Sequence, residues 1–84
     1  MFPIHFVQYV MPRLRRLVTA EAFCVVRGAE DWTGAYDSLM AYARRYGAMY
    51  LPADAIYGLD DWISTTLLEE IDRQEAELVG VMPT

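Results

Sequence analysis

The chain has 84 residues, of which 55% are hydrophobic, and a net charge of −5. A chain of this length has no room for a second hydrophobic core, so we expect a single domain over residues 1–84. The negative net charge argues against direct binding of nucleic acid, which depends on the neutralisation of phosphates.

The first predicted element is a helix over residues 3–19, because its apolar side chains share one half of a helical wheel. Pro12 lies on the polar half, where a kink can bend the helix around a core, so we expect one kinked helix. The alternative is a strand over residues 4–10, followed by a helix that begins at Pro12.

The second element is predicted to begin at Thr19. Continuing the first helix would place Glu21 in the apolar stripe, and burial of an unpaired carboxylate is costly, so we expect a break there. Thr19 can then cap a short helix. Residues 22–27 are equally compatible with a strand, since they are rich in apolar residues that favour sheets.

The clearest amphipathic helix is predicted over residues 31–47. Asp31 is a good N-cap, Arg44 and Arg45 suit the last turn, and Gly47 can close the helix in the left-handed conformation. The predicted core face consists of Trp32, Ala35, Tyr36, Leu39, Met40, Ala43 and Tyr46. This face is expected at the centre of the core.

A last helix is predicted over residues 61–79, after an apolar connector and a single turn. Asp60 is its expected cap. Its predicted core stripe consists of Ile63, Leu67, Ile71 and Leu78. Glu69 and Arg73 have the spacing of a supportive ion pair on one helix.

These elements predict a mostly α fold, a compact small bundle of three main helices plus one or two short ones. The alternative is an α+β fold. In that fold, residues 4–10, 22–27 or 48–51 pair in a small two- or three-stranded sheet.

Charge is divided unevenly along the chain. Residues 1–53 carry a net charge of +2, whereas residues 54–84 carry −7. Four acids of the last helix lie outside its core stripe: Glu69, Glu70, Asp72 and Glu77. They form either a solvated surface or a face that docks on a basic partner.

Two further features are candidates for partner binding. Trp62 lies nearly opposite the core stripe, so it either packs under the connector or anchors an interface, where Trp, Tyr and Arg dominate. The basic cluster of Arg13, Arg15 and Arg16 is either a solvated face or a contact for the acidic helix, within the molecule or across a dimer.

Nothing in the sequence indicates catalysis. There is one His and one Cys, no zinc or calcium ligand spacing, and no glycine-rich nucleotide loop. We therefore expect a protein that is not an enzyme and binds no cofactor or metal. The lone Cys24 fits a reducing compartment, and the apolar start is too short to span a membrane, so we expect a cytoplasmic protein.

In size, acidity and lack of catalytic residues, the chain resembles the small phage-encoded inhibitors, the anti-CRISPR proteins among them. The resemblance is one of type, and no residue role is carried over from it. It implies a small acidic interaction module that docks on a larger basic or nucleic-acid-handling protein. The high apolar content is equally consistent with the alternative of a self-associating structural subunit or adaptor, a homodimer.

Overall fold

The computed structural model describes residues 2–80, which form four α-helices and one short 3₁₀ helix. In chain order the elements are α1 (Ile4–Tyr9), α2 (Met11–Val26), α3 (Trp32–Gly47), the 3₁₀ helix (Ala53–Ala55) and α4 (Ile56–Val79). The predicted helical bundle is confirmed. None of the residues from 2 to 80 is in a strand, so the α+β alternative is wrong. Met1 and residues 81–84 of the predicted domain lie outside the described residues.

The three long helices enclose one hydrophobic core. α2 packs most extensively on α4, and α3 contacts both. Leu39 and Leu67, at the centres of the predicted core stripes, are both fully buried as expected. Complete burial of one such side chain stabilises the fold by about 1.5–3 kcal/mol. Other fully buried side chains include Phe6, Leu14, Leu59 and Ile63.

The first predicted helix is two helices rather than one kinked helix. α1 ends at Tyr9 and α2 begins at Met11, with Val10 between them at φ −106°. Pro12 lies in the first turn of α2, where its missing N–H is not needed for a helical hydrogen bond. The proline therefore starts a new helix, as the alternative interpretation proposed, although residues 4–9 are helical rather than extended.

The predicted break at Thr19 is also wrong, because α2 continues to Val26. The Thr19 hydroxyl donates a hydrogen bond to the Arg15 carbonyl instead of capping a helix. Glu21 is half-buried within the continuous helix. Burial, and secondarily the neighbouring Glu30 carboxyl, raises the pKa of Glu21 to about 7. The side chain can therefore carry a proton near neutral pH, which lowers the cost of burying it.

α3 has the predicted bounds, but the predicted conformation of its last residue is wrong. The Asp31 carboxylate accepts a hydrogen bond from the Gly34 N–H at 2.7 Å, which confirms the N-cap. Gly47 is part of the helix and does not adopt a left-handed conformation. A Cβ at this position would lie only 2.5 Å from Cε2 of Phe6, so the glycine is needed for the packing of α1. Tyr46, predicted in the core, is 49% exposed.

α4 starts one turn earlier than predicted, and Asp60 is therefore not its cap. The Asp60 carboxylate instead accepts a hydrogen bond from the Tyr36 hydroxyl of α3. Leu78, predicted in the core, is 57% exposed, whereas Gln74 is buried. The Gln74 side-chain amide donates to the Thr19 carbonyl at 3.0 Å and so ties α4 to α2.

Candidate interaction surfaces

The exposed side of α4 is acidic and reaches the border with α2 at Glu69. We define the acidic face as the exposed residues Asp61, Leu68, Glu69, Asp72 and Glu75. In residues 2–80, none of its four carboxylates forms an ion pair or a side-chain hydrogen bond. Leu68 lies among them and is 49% exposed. The face therefore presents uncompensated negative charge around an apolar side chain.

Two of the four acids singled out from the sequence are paired within the helix. Arg73 contacts the Glu70 carboxylate at 2.6 Å and also pairs with Glu77. The Arg73 hydrogen bond holds the pKa of Glu70 below its usual value. The predicted Glu69–Arg73 pair is wrong, and Glu69 and Asp72 therefore remain available to a partner, whereas Glu70 and Glu77 share the single charge of Arg73.

Trp62 is half-buried at the border between α4, α2 and the N-terminal segment. Trp62 and Phe2 contact each other edge to face, with 6.5 Å between their ring centroids. The Arg15 guanidinium lies 5.3 Å from the centroid of the indole, within the range of a cation–π interaction. Trp62 therefore anchors the N-terminal segment while part of its surface stays accessible.

An open depression surrounds this exposed part of Trp62. Its apolar lining includes Phe2, Val7, Met11 and Trp62. Asp61 and Glu69 of the acidic face line the same depression, together with Arg15. The structure thus joins an apolar recess to the acidic face. Sequence analysis singled out Trp62 and Glu69 as candidates for partner binding, but not the recess that Phe2, Val7 and Met11 line beside them.

The arginines of the predicted basic cluster lie in two different grooves. Arg15 borders the depression beside α4, whereas Arg13 and Arg16 line a cavity between α2 and α3, with Leu17 and Tyr42. The cluster therefore does not act as one patch. The split follows from the helical geometry, since residues adjacent in sequence point about 100° apart on a helix.

Next to this cavity, aromatic and basic side chains of α3 contact one another. The Tyr46 ring lies 4.7 Å from the Tyr42 ring, and the Arg45 guanidinium lies 5.5 Å from the Tyr46 centroid. We define the tyrosine–arginine groove as Arg13, Arg16, Leu17, Tyr42, Arg45 and Tyr46. Sequence analysis missed the contribution of α3. The short connection between α2 and α3 could have indicated that α3 lies beside these arginines, because helices joined by a short loop pack as antiparallel neighbours.

Three further findings concern metal binding, membrane spanning and similarity to known proteins. Among the residues that the structure describes, no cluster of His, Cys, Asp or Glu side chains could hold a metal ion. Between residues 2 and 80, no helix is both long and apolar enough to cross a membrane. Comparison with known protein families, curated proteins and solved structures found no match to this chain.

Proposed function

We propose that this protein is a small, non-enzymatic interaction module of the cytoplasm, and an inhibitor of the phage-encoded, anti-CRISPR-like type. Its partner is a larger basic or nucleic-acid-handling protein. The observation that supports this proposal is the depression at Trp62, because it joins an apolar recess to the uncompensated carboxylates of Asp61 and Glu69. Such a site suits a partner segment that carries cations beside an apolar side chain.

The two parts of the site act on different steps of binding. Asp61, Glu69 and Asp72 are exposed, so their negative charge attracts a basic surface over several ångströms and mainly raises the association rate. An apolar side chain of the partner that enters the depression excludes water from Trp62. Contacts of this desolvated kind mainly slow dissociation.

A charge-reversal experiment tests the role of the acidic face. The partner is first captured with wild-type protein from the native host and purified, and association is then measured by surface plasmon resonance at several salt concentrations. We expect Glu69→Arg with Asp72→Arg to slow association several-fold and to flatten its salt dependence. The matched control reverses Asp37 and Asp54, which are exposed on α3 and the 3₁₀ helix and change the net charge equally.

Comparison of the two double variants distinguishes an effect of the acidic face from an effect of the net charge of the protein. If both variants slow association equally, only the net charge of the protein matters and the proposed docking face is wrong. A third variant, Trp62→Ala, is expected to raise the dissociation rate at least tenfold if Trp62 is a hot spot. Thermal unfolding of the same variant shows whether the lost contact with Phe2 weakens the fold instead.

A further inference from the structure

The tyrosine–arginine groove has the composition of a carboxylate-binding surface. In the described part of the chain, Arg13, Arg16 and Arg45 form no ion pair, and no acid lines the cavity that Arg13 and Arg16 share with Tyr42. Each guanidinium presents a planar set of donors that matches the two oxygens of a carboxylate. Tyr and Arg are also, with Trp, the residues enriched at the sites that contribute most to the binding energy of protein interfaces.

The chain itself carries the complementary surface. α2, α3 and α4 all contact one another, so the exposed side of each helix points away from the groove between the other two. Glu69 of the acidic face borders α2 beside Arg15, whereas Arg13 and Arg16 line the cavity between α2 and α3. The acidic face and the tyrosine–arginine groove therefore lie on different sides of α2. A molecule cannot bring its own α4 into its own groove, but a second copy can.

We propose that the tyrosine–arginine groove binds the acidic face of α4 from a second copy of this chain, so that molecules associate head to tail. The carboxylates of Glu69 and Asp72 pair with Arg13 and Arg16, and Leu68 packs against the tyrosine rings. The contact uses a different surface on each partner, so it leaves one unoccupied groove and one unoccupied acidic face in every dimer. The inference does not depend on the proposed function, since it requires no other protein.

Sedimentation velocity across a wide range of protein and salt concentrations gives the first test. We expect the average mass to rise with protein concentration at low salt, and to return toward that of a single chain at high salt, because the contact relies on exposed charges. A protein that keeps the mass of a single chain under every condition overturns the proposal, whatever else the groove binds.

A mixing experiment identifies the two surfaces. The groove variant, Arg13→Ala with Arg16→Ala, and the face variant, Glu69→Gln with Asp72→Asn, each lose one side of the contact. We expect each to self-associate at least tenfold more weakly than wild type. An equimolar mixture of the two should form dimers and nothing larger, because each molecule keeps the surface that the other has lost.

The control variant removes two arginines outside the groove, Arg27→Ala with Arg44→Ala, and is expected to associate like wild type. All the changed side chains are exposed, so circular dichroism should show an unchanged fold. If the groove variant still associates like wild type, the contact uses another surface, such as the exposed Tyr9 and Met49, and the proposal is wrong. A mixture that stays monomeric at concentrations where wild type associates also overturns it.

Discussion

The contact between Gly47 and Phe6 predicts opposite effects for the same substitution at two glycines. Gly47→Ala would place a Cβ 2.5 Å from Cε2 of Phe6, whereas an ordinary van der Waals contact is 3.4–4 Å. Phe6 is fully buried and cannot move its ring into solvent. Overpacking of this kind typically costs about 1–3 kcal/mol, against a gain of up to about 1 kcal/mol from replacing a helical glycine with alanine.

Gly58→Ala is the matched control, because a Cβ there meets nothing within 4 Å and the residue lies within α4. The helix-propensity term is similar in both variants and largely cancels in their difference. We therefore expect Gly47→Ala to be less stable than Gly58→Ala by about 1–3 kcal/mol in urea unfolding. Adding Phe6→Leu should relieve part of the loss. Equal stabilisation by both alanines would refute the packing of α1 against α3.

Two other side chains give predictions about stability. Leu39→Ala removes a fully buried side chain and is expected to cost about 2–5 kcal/mol, measured as a loss of free energy of unfolding. Between pH 4.5 and about 7, folded Glu21 holds a proton that the unfolded chain releases, so the free energy of unfolding should fall as pH rises through this range. Glu21→Gln should remove this decline and raise stability above pH 7 by about 1–3 kcal/mol. An unchanged pH dependence would contradict the raised pKa.

Helical periodicity located the core of this protein and the bounds of α3, but not the bounds of α2, the start of α4 or the exposure of the last turns. Leu39 and Leu67 follow directly from the 3.6-residue pattern, because they lie midway along helices with neighbours on both sides. Tyr46 and Leu78 fit the same pattern but lie in last turns, where fewer neighbouring elements cover them. α4 has 24 residues and α2 has 16, so α2 is too short to cover the whole length of α4.

The error at Glu21 has a different physical origin. The predicted break assumed that a buried carboxylate stays charged, and on that assumption the cost of continuing α2 is high. Burial itself raises the pKa of Glu21 to about 7, with the Glu30 carboxyl as a further cause. Glu30 is nine residues away in the sequence and lies outside α2. Its effect on Glu21 depends on the fold and could not be obtained from local spacing.

The candidate surfaces were predictable only in part, for similar reasons. The pattern correctly places Glu69 and Asp72 on the exposed side of α4. It does not determine which carboxylates Arg73 selects, since Glu69, Glu70 and Glu77 are all within three or four residues of it. The separation of Arg13 and Arg16 from Arg15 depends on which helix packs on each side of α2.

The two proposals use the same side of α4, and this overlap has a consequence for both. Glu69 and Asp72 cannot pair with the arginines of a second copy and with a basic partner at the same time. Because a head-to-tail dimer leaves one acidic face unoccupied, self-association reduces the number of docking faces without removing them. Arg13 and Arg16 lie outside the depression at Trp62, so their removal should free acidic faces for a basic partner rather than weaken its contact. Under both proposals, the groove of a second copy competes with the basic partner for the acidic face.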